Sequence, residues 1–130
     1  MGKYAISICQ IARDWHKKNS RYYAHVGHKN GKICVTDQFW KLPWNFKIAI
    51  LLHEIGHLLS PGKSEKVVNK TIEELLDIKI HYIPKTQFGN NLEWVNPEDG
   101  KIGYKFLSTF LDQKSMRRLR PFAGIYSPRS

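Results

Sequence analysis

Between Pro43 and the Pro61-Gly62 pair lies a stretch whose apolar residues, Ile48, Leu51, Leu52, Ile55, Leu58 and Leu59, recur at intervals of three and four. That period predicts a helix with one continuous inward face, its first turn started by Pro43 and its end near Ser60 forced by Pro61-Gly62. Any fold open to this chain has to build its core around that helix. Yet the same run, "LLHEIGHLLS" at residues 51–60, carries His53, Glu54 and His57. Burying two imidazoles and a carboxylate without partners is costly, so the helix must supply them with partners. Gly56 adds a second constraint: glycine inside a helix costs about 1 kcal/mol against alanine and calls for a packing reason.

One helical turn separates His53 from His57, so both rings leave the same face and can reach one metal ion at roughly 2.0–2.1 Å. Glu54 is offset from that pair. It points beside the ion, where a carboxylate can take a proton from an activated water and pass it to a leaving amine. With six His and six Glu among 130 residues, chance assembles H-E-x-x-H on the order of one time in a hundred, and the buried helical setting is the context the pattern needs. The competing account is a pair of hydrogen-bonded core histidines.

A zinc site that leaves one position to water needs a third protein ligand. Ser64 is a suitable N-cap for a further helix running to about Ile80, with Val68, Ile72, Leu75 and Leu76 facing inward; Thr71 and Glu74 form a competing capping-box start. On the longer helix Glu65 lies at the edge of the inward face. Asn69 follows one turn on, able to hydrogen-bond a ligand histidine, whereas Glu73 and Asp77 point largely away. This phase favours Glu65, after a sharp reversal at Pro61-Gly62. Glu73, Glu74 and Asp77 offer a roomier connection, and His81 is the imidazole alternative. Two imidazoles with one carboxylate suit a single Zn2+ ion.

Residues 4–18 carry Ile8, Ile11, Ala12 and Trp15 at helical spacing and predict an N-terminal helix. Two β-prone runs, near 22–27 and 32–37, flank Asn30-Gly31 and predict a hairpin. Residues 84–103 are rich in turn formers around a short strand at 92–95, and a last helix is expected at roughly 104–119. The expectation is an α+β fold with one domain over residues 1–120 and a tail at 121–130. The longest apolar run falls short of the ~20 residues that span a bilayer. With no leader-like segment, and with Cys9 and Cys34 too few for a disulfide framework, the expected setting is a reducing cytoplasm.

The formal charge is +10. Most basic residues are scattered, but Lys114, Arg117, Arg118 and Arg120 cluster in "KSMRRLRP", the best candidate for contact with nucleic acid or an acidic protein.

"HEIGHLL", followed by Glu65-Lys-Val-Val-Asn69 and Glu74-Leu-Leu, resembles the zincin metallopeptidases with a glutamate third ligand, most nearly the ImmA/IrrE-type group and the single-domain minigluzincins. The resemblance covers residues 53–76. It implies a small zincin-like fold, His53, His57 and Glu65 as ligands of one Zn2+, Glu54 as base, and endopeptidase activity on a protein or peptide substrate. A DNA-binding regulator is the kind of substrate such relatives cleave. Val67, Val68, Thr71 and Asp77 depart from the pattern of that group, as does the short connection. Tyr82, His81 and Tyr104 are candidates to stabilise an oxyanion, as relatives use a Tyr or His. His25 and His28 in the hairpin are left outside the site. Two other functions compete: a nucleic-acid-binding module braced by a structural metal, and a SprT-like protease acting on DNA-associated proteins with His81 as third ligand. The tail "PFAGIYSPRS" can also be imagined lying in the cleft of an inactive precursor.

Overall fold

The computed structural model describes residues 6–10, 24–27, 32–35, 37–83 and 92–120. In chain order they form β1 (Ile8–Gln10), β2 (Ala24–Gly27), β3 (Lys32–Val35), α1 (Asp37–Trp40), α2 (Trp44–Leu59), α3 (Glu65–Leu76), β4 (Ile80–Ile83), β5 (Leu92–Val95), α4 (Pro97–Leu107) and α5 (Gln113–Leu119). β3 is the middle strand of a three-stranded sheet, parallel to β1 and antiparallel to β2; β4 and β5 form a separate antiparallel pair. This is a small α+β arrangement.

α2 is its axis. Ile48, Leu51, Leu52 and Ile55 are fully buried, as the period predicts, and α2 packs against β5, α3, α4, α5 and β2. Ser60 closes the helix, its N–H donating to Gly56 O at 2.8 Å. The chain then reverses through Gly62, whose φ of +79° is a left-handed conformation that glycine adopts without steric cost. Ser64 caps α3, its Oγ accepting from Val67 N–H at 3.3 Å. The α2–α3 approach is close enough that a Cβ on Gly56 would sit 2.4 Å from Val68 Cγ1. Gly56 is therefore the point at which two helices touch.

Several boundaries differ from expectation. Residues 8–10 are strand, not helix: Ile6 and Ile8 are buried at period two, and β1 pairs with β3 while Ile6 bridges Leu111. Pairing with a distant strand overrides the local helical spacing here, and residues 4–5 and 11–18 of the predicted N-terminal helix lie outside the described residues. The predicted hairpin strands are present as β2 and β3, with Gly27 opposite Lys32. α3 ends at Leu76, not Ile80, because Asp77 turns left-handed at φ 56° and Ile80 enters β4. Its inward face is also narrower: Val68 and Ile72 are buried but Leu75 is 57 % exposed.

The strand at 92–95 stands where expected. The following "NPEDGKIG", read as turn, is instead the first half of α4, with Pro97 in the first turn and Glu98 and Asp99 at its positive end. Gly100 and Gly103 fit this helix because Trp44 and the Ile48–Leu52 ridge press against them. The expected single helix over 104–119 is two, separated at residues 108–112, with Asp112 capping α5 by accepting from Ser115 N–H at 2.8 Å. That corner ties the first strand to the end of the fold: Ser7 Oγ donates to Asp112 Oδ2 at 2.6 Å, and Ile8 N–H to Ser115 Oγ at 3.0 Å.

Cys34 is disulfide-bonded, against the reading that two cysteines would stay reduced. The parallel β1–β3 register sets Cys34 across from Cys9, a proximity that only tertiary structure creates. Among the described residues, no helix is long and apolar enough to cross a membrane.

Candidate metal centre

Near the end of α2, His53 and His57 face the first turn of α3. Their rings meet edge to face, with centroids 4.6 Å apart. His57 Nε2 lies 3.0 Å from His53 Nε2. Glu65 reaches both, with Oε1 2.6 Å from His53 Nε2 and Oε2 3.1 Å from His57 Nε2. Behind His53, Asn69 Oδ1 is 2.7 Å from Nδ1.

These contacts fix the chemistry of the group. With Asn69 accepting from Nδ1–H, the neutral His53 ring presents a bare lone pair at Nε2. That lone pair faces a carboxylate oxygen and a second imidazole nitrogen. Groups this close are held together by a proton on one of the rings or by a metal ion among them. The ligand atoms of His53, His57 and Glu65 all lie within 4.8 Å of one another. Bonds of ~2.0–2.1 Å in a tetrahedron place donors roughly 3.3–3.4 Å apart, so a spreading of less than about 1 Å lets these residues hold a zinc ion. The donor set fits. Exposure is graded across it, the side chain of His53 being 6 % exposed, His57 22 % and Glu65 66 %.

Glu54 is not one of the three converging donors. It is buried beside His53, and burial, reinforced by the charges of Glu65 and Glu93 against the attraction of His53, pushes its carboxyl up to about 8. Burial also opposes charging of His53, but Glu93, Asn69, Glu54 and Glu65 outweigh it and raise its pKa.

Of the other candidates, Glu73 turns its Oε2 to accept from Ile80 N–H at 2.8 Å, Glu74 is exposed, and Asp77 serves as the left-handed C-cap of α3. His81 stacks on Trp94, ring centroids 4.2 Å apart, and is not among the converging residues. Tyr104 donates to Met116 O at 3.2 Å, in the packing of α4 on α5. Tyr82 is on the site's side of β4: its hydroxyl pKa is raised by partial burial and by Glu93 and Glu65. His25 and His28 have side chains outside the described residues.

Glu93 is a further carboxylate acting on His53, outside the candidates that the sequence singles out. It is buried on β5 opposite Tyr82, and burial together with Glu65 raises its carboxyl against the pull of His53. A signal existed: in "LEWV" the glutamate shares a strand face with Val95, and a carboxylate on an apolar strand face is seldom without a task.

Lys114, Arg117, Arg118 and Arg120 are all exposed on or just after α5, and Arg118 lies over the Trp40 ring at 4.0 Å. In comparisons against protein-family models, curated proteins and solved structures, nothing matches this chain.

Proposed function

We propose that the chain is a zinc-dependent endopeptidase of the HExxH type, with His53, His57 and Glu65 holding one Zn2+ and Glu54 acting as general base. One observation carries the reading: two imidazole nitrogens and a carboxylate oxygen, all potential metal ligands, lie within 4.8 Å of one another beside a buried carboxylate that is not among them. The resemblance of residues 53–76 to the glutamate-ligand zincins, nearest the ImmA/IrrE-type and minigluzincin groups, points the same way.

A bound zinc supplies Lewis acidity at the substrate carbonyl and acidifies water in the position left open. The chain's own part begins with Asn69, which holds the His53 ring so that Nε2 faces Glu65 and His57. Glu54, one residue along α2, accepts the proton of the attacking water and delivers it to the leaving nitrogen. The substrate is a protein or peptide; a DNA-bound regulator suits the basic charge by analogy only.

The second reading, a nucleic-acid-binding module with a structural metal, draws on the exposed Lys114, Arg117 and Arg120. The cytoplasm is the compartment expected from the sequence, and the disulfide at Cys34 is the observation against it. Alkylation of the protein as isolated from cells decides that point.

Metal analysis with a peptidase assay on denatured protein, run on wild type, Glu54→Gln and Glu65→Ala, tests the proposal. Glu54→Gln should keep zinc and lose hydrolysis, and cleavage at the wild-type rate removes Glu54 from the mechanism. Glu65→Ala should weaken zinc binding, and full affinity would move the third ligand to Glu73 or His81. DNA binding that falls steeply with salt, with no peptidase activity, selects the second reading.

A further inference from the structure

Beside the His53–His57–Glu65 group, α3 and the start of β4 enclose a cleft of about 490 Å³, within the roughly 300–1,000 Å³ range of ligand pockets. Asn69 belongs to both places: it holds His53 and lines this cleft. The cleft is strongly basic. Lys66 and Lys70, one turn apart on α3, and Lys79, just before β4, all border it. Among the described residues none of the three is in an ion pair. Glu73 is the single carboxylate of the lining, and its Oε2 is turned to the Ile80 N–H. Three positive charges therefore stand against one negative. Ile80 and the lysine stems supply apolar walls, and the Tyr82 hydroxyl adds a neutral donor.

A helix face with lysines is ordinarily just solvated. Here the lysines come from two elements to one concavity, and that concavity shares a residue with the metal group. We infer that the cleft is the subsite for an acidic residue of the substrate, whose carboxylate is received by Lys66, Lys70 and Lys79 while its methylenes lie along Ile80. The inference rests on the proposed peptidase function and names its substrate class. Charge complementarity of this kind selects among substrates and speeds encounter more than it tightens binding, and the overall +10 charge acts in the same direction.

The test uses zinc-loaded Glu54→Gln protein and fluorescein-labelled peptides matched except for Glu against Gln, with amidated or free C-termini, read by anisotropy. The amidated Glu peptide should bind on the order of tenfold tighter than its Gln match, with the difference shrinking as salt rises. Lys70→Glu/Lys79→Glu, both exposed and outside the metal group, should abolish that difference without changing zinc affinity, and Lys70→Gln/Lys79→Gln should reduce it. Equal affinity for the two amidated peptides overturns the inference, as does a preference that survives both lysine variants. A preference seen only with free C-termini replaces the acidic side chain by the chain terminus as occupant and overturns it too. A parallel cleavage assay on wild type separates the two claims. Cleavage without preference for Glu keeps the peptidase and removes the subsite, whereas Glu-selective binding with no cleavage keeps the acidic-peptide site and removes the peptidase.

Discussion

Replacing Gly56 by alanine sets two opposing effects against each other at the contact between α2 and α3. As a helix residue alone, alanine should stabilise by about 1 kcal/mol. The added Cβ, however, would stand 2.4 Å from Val68 Cγ1, 3.2 Å from Ile72 Cγ1 and 3.3 Å from Val68 O. Carbon contacts are comfortable at roughly 3.5–4.0 Å, so α3 has to move away by about 1 Å, and overpacking of this kind costs about 1–3 kcal/mol. The net change in stability is small, roughly 0–2 kcal/mol of destabilisation. The proposed zinc site is hit harder. Glu65 sits three residues before Val68 on the helix that is displaced, while metal bonds tolerate only about ±0.2 Å. Zinc affinity should fall about 10–100-fold, the cost typical of disturbing the support of a ligand. Competition with a chromophoric chelator measures the affinity, and urea unfolding in EDTA measures stability. Adding Val68→Ala removes the atom in the way, so the double variant should recover most of the zinc affinity while becoming less stable through the lost methyls. A Gly56→Ala protein that binds zinc like wild type and is more stable in EDTA would refute the account of Gly56 as the spacer of the site.

Three further outcomes follow from the same structure. In chelator, the buried Glu54 carboxyl at about 8 against an ordinary 4.5 means the folded state binds more protons between those values, so stability falls as pH rises through that window, by roughly 5 kcal/mol at most. Glu54→Gln should flatten the urea midpoint between pH 5 and pH 8.5, and a wild-type midpoint that does not fall would contradict the burial. Asn69→Ala frees the His53 ring and should lower zinc affinity about 10–100-fold by the same chelator competition, with little change in melting temperature. At the β1–α5 corner, hydroxyl and backbone donors from Ser7 and Ser115 hold the Asp112 carboxyl below its ordinary range. Its contribution is present above the ordinary carboxylate pKa and lost as pH falls through the lowered one. Asp112→Ala, by removing the cap, should cost about 1 kcal/mol at pH 7 and less in acid, by thermal melts at pH 7 and pH 3.

How much of this was legible depended on whether the determining contacts were local. α2 could be read to within a residue at either end, because its period, Pro43 and Pro61-Gly62 all act within one turn of where they stand. The phase of α3 put Glu65 and Asn69 towards His53 for the same reason. Its end was misplaced because Asp77, with no glycine to announce it, adopts a left-handed turn. The Glu93 carboxyl was missed because only the β4–β5 pairing, joined across a long connection, carries it to the site.

By itself, the sequence determined the buried helix, the two imidazoles and carboxylate it presents, the break that follows, and the helix phase that returns a glutamate. These are consequences of dihedral preference and of periods of 3.6 residues. Only the tertiary structure decided that residues 8–10 join a sheet, that Cys34 lies opposite Cys9, that Gly56 is the contact point of two helices, and that three lysines meet at one cleft. Those depend on which distant surfaces are buried against each other, and no local propensity encodes that choice.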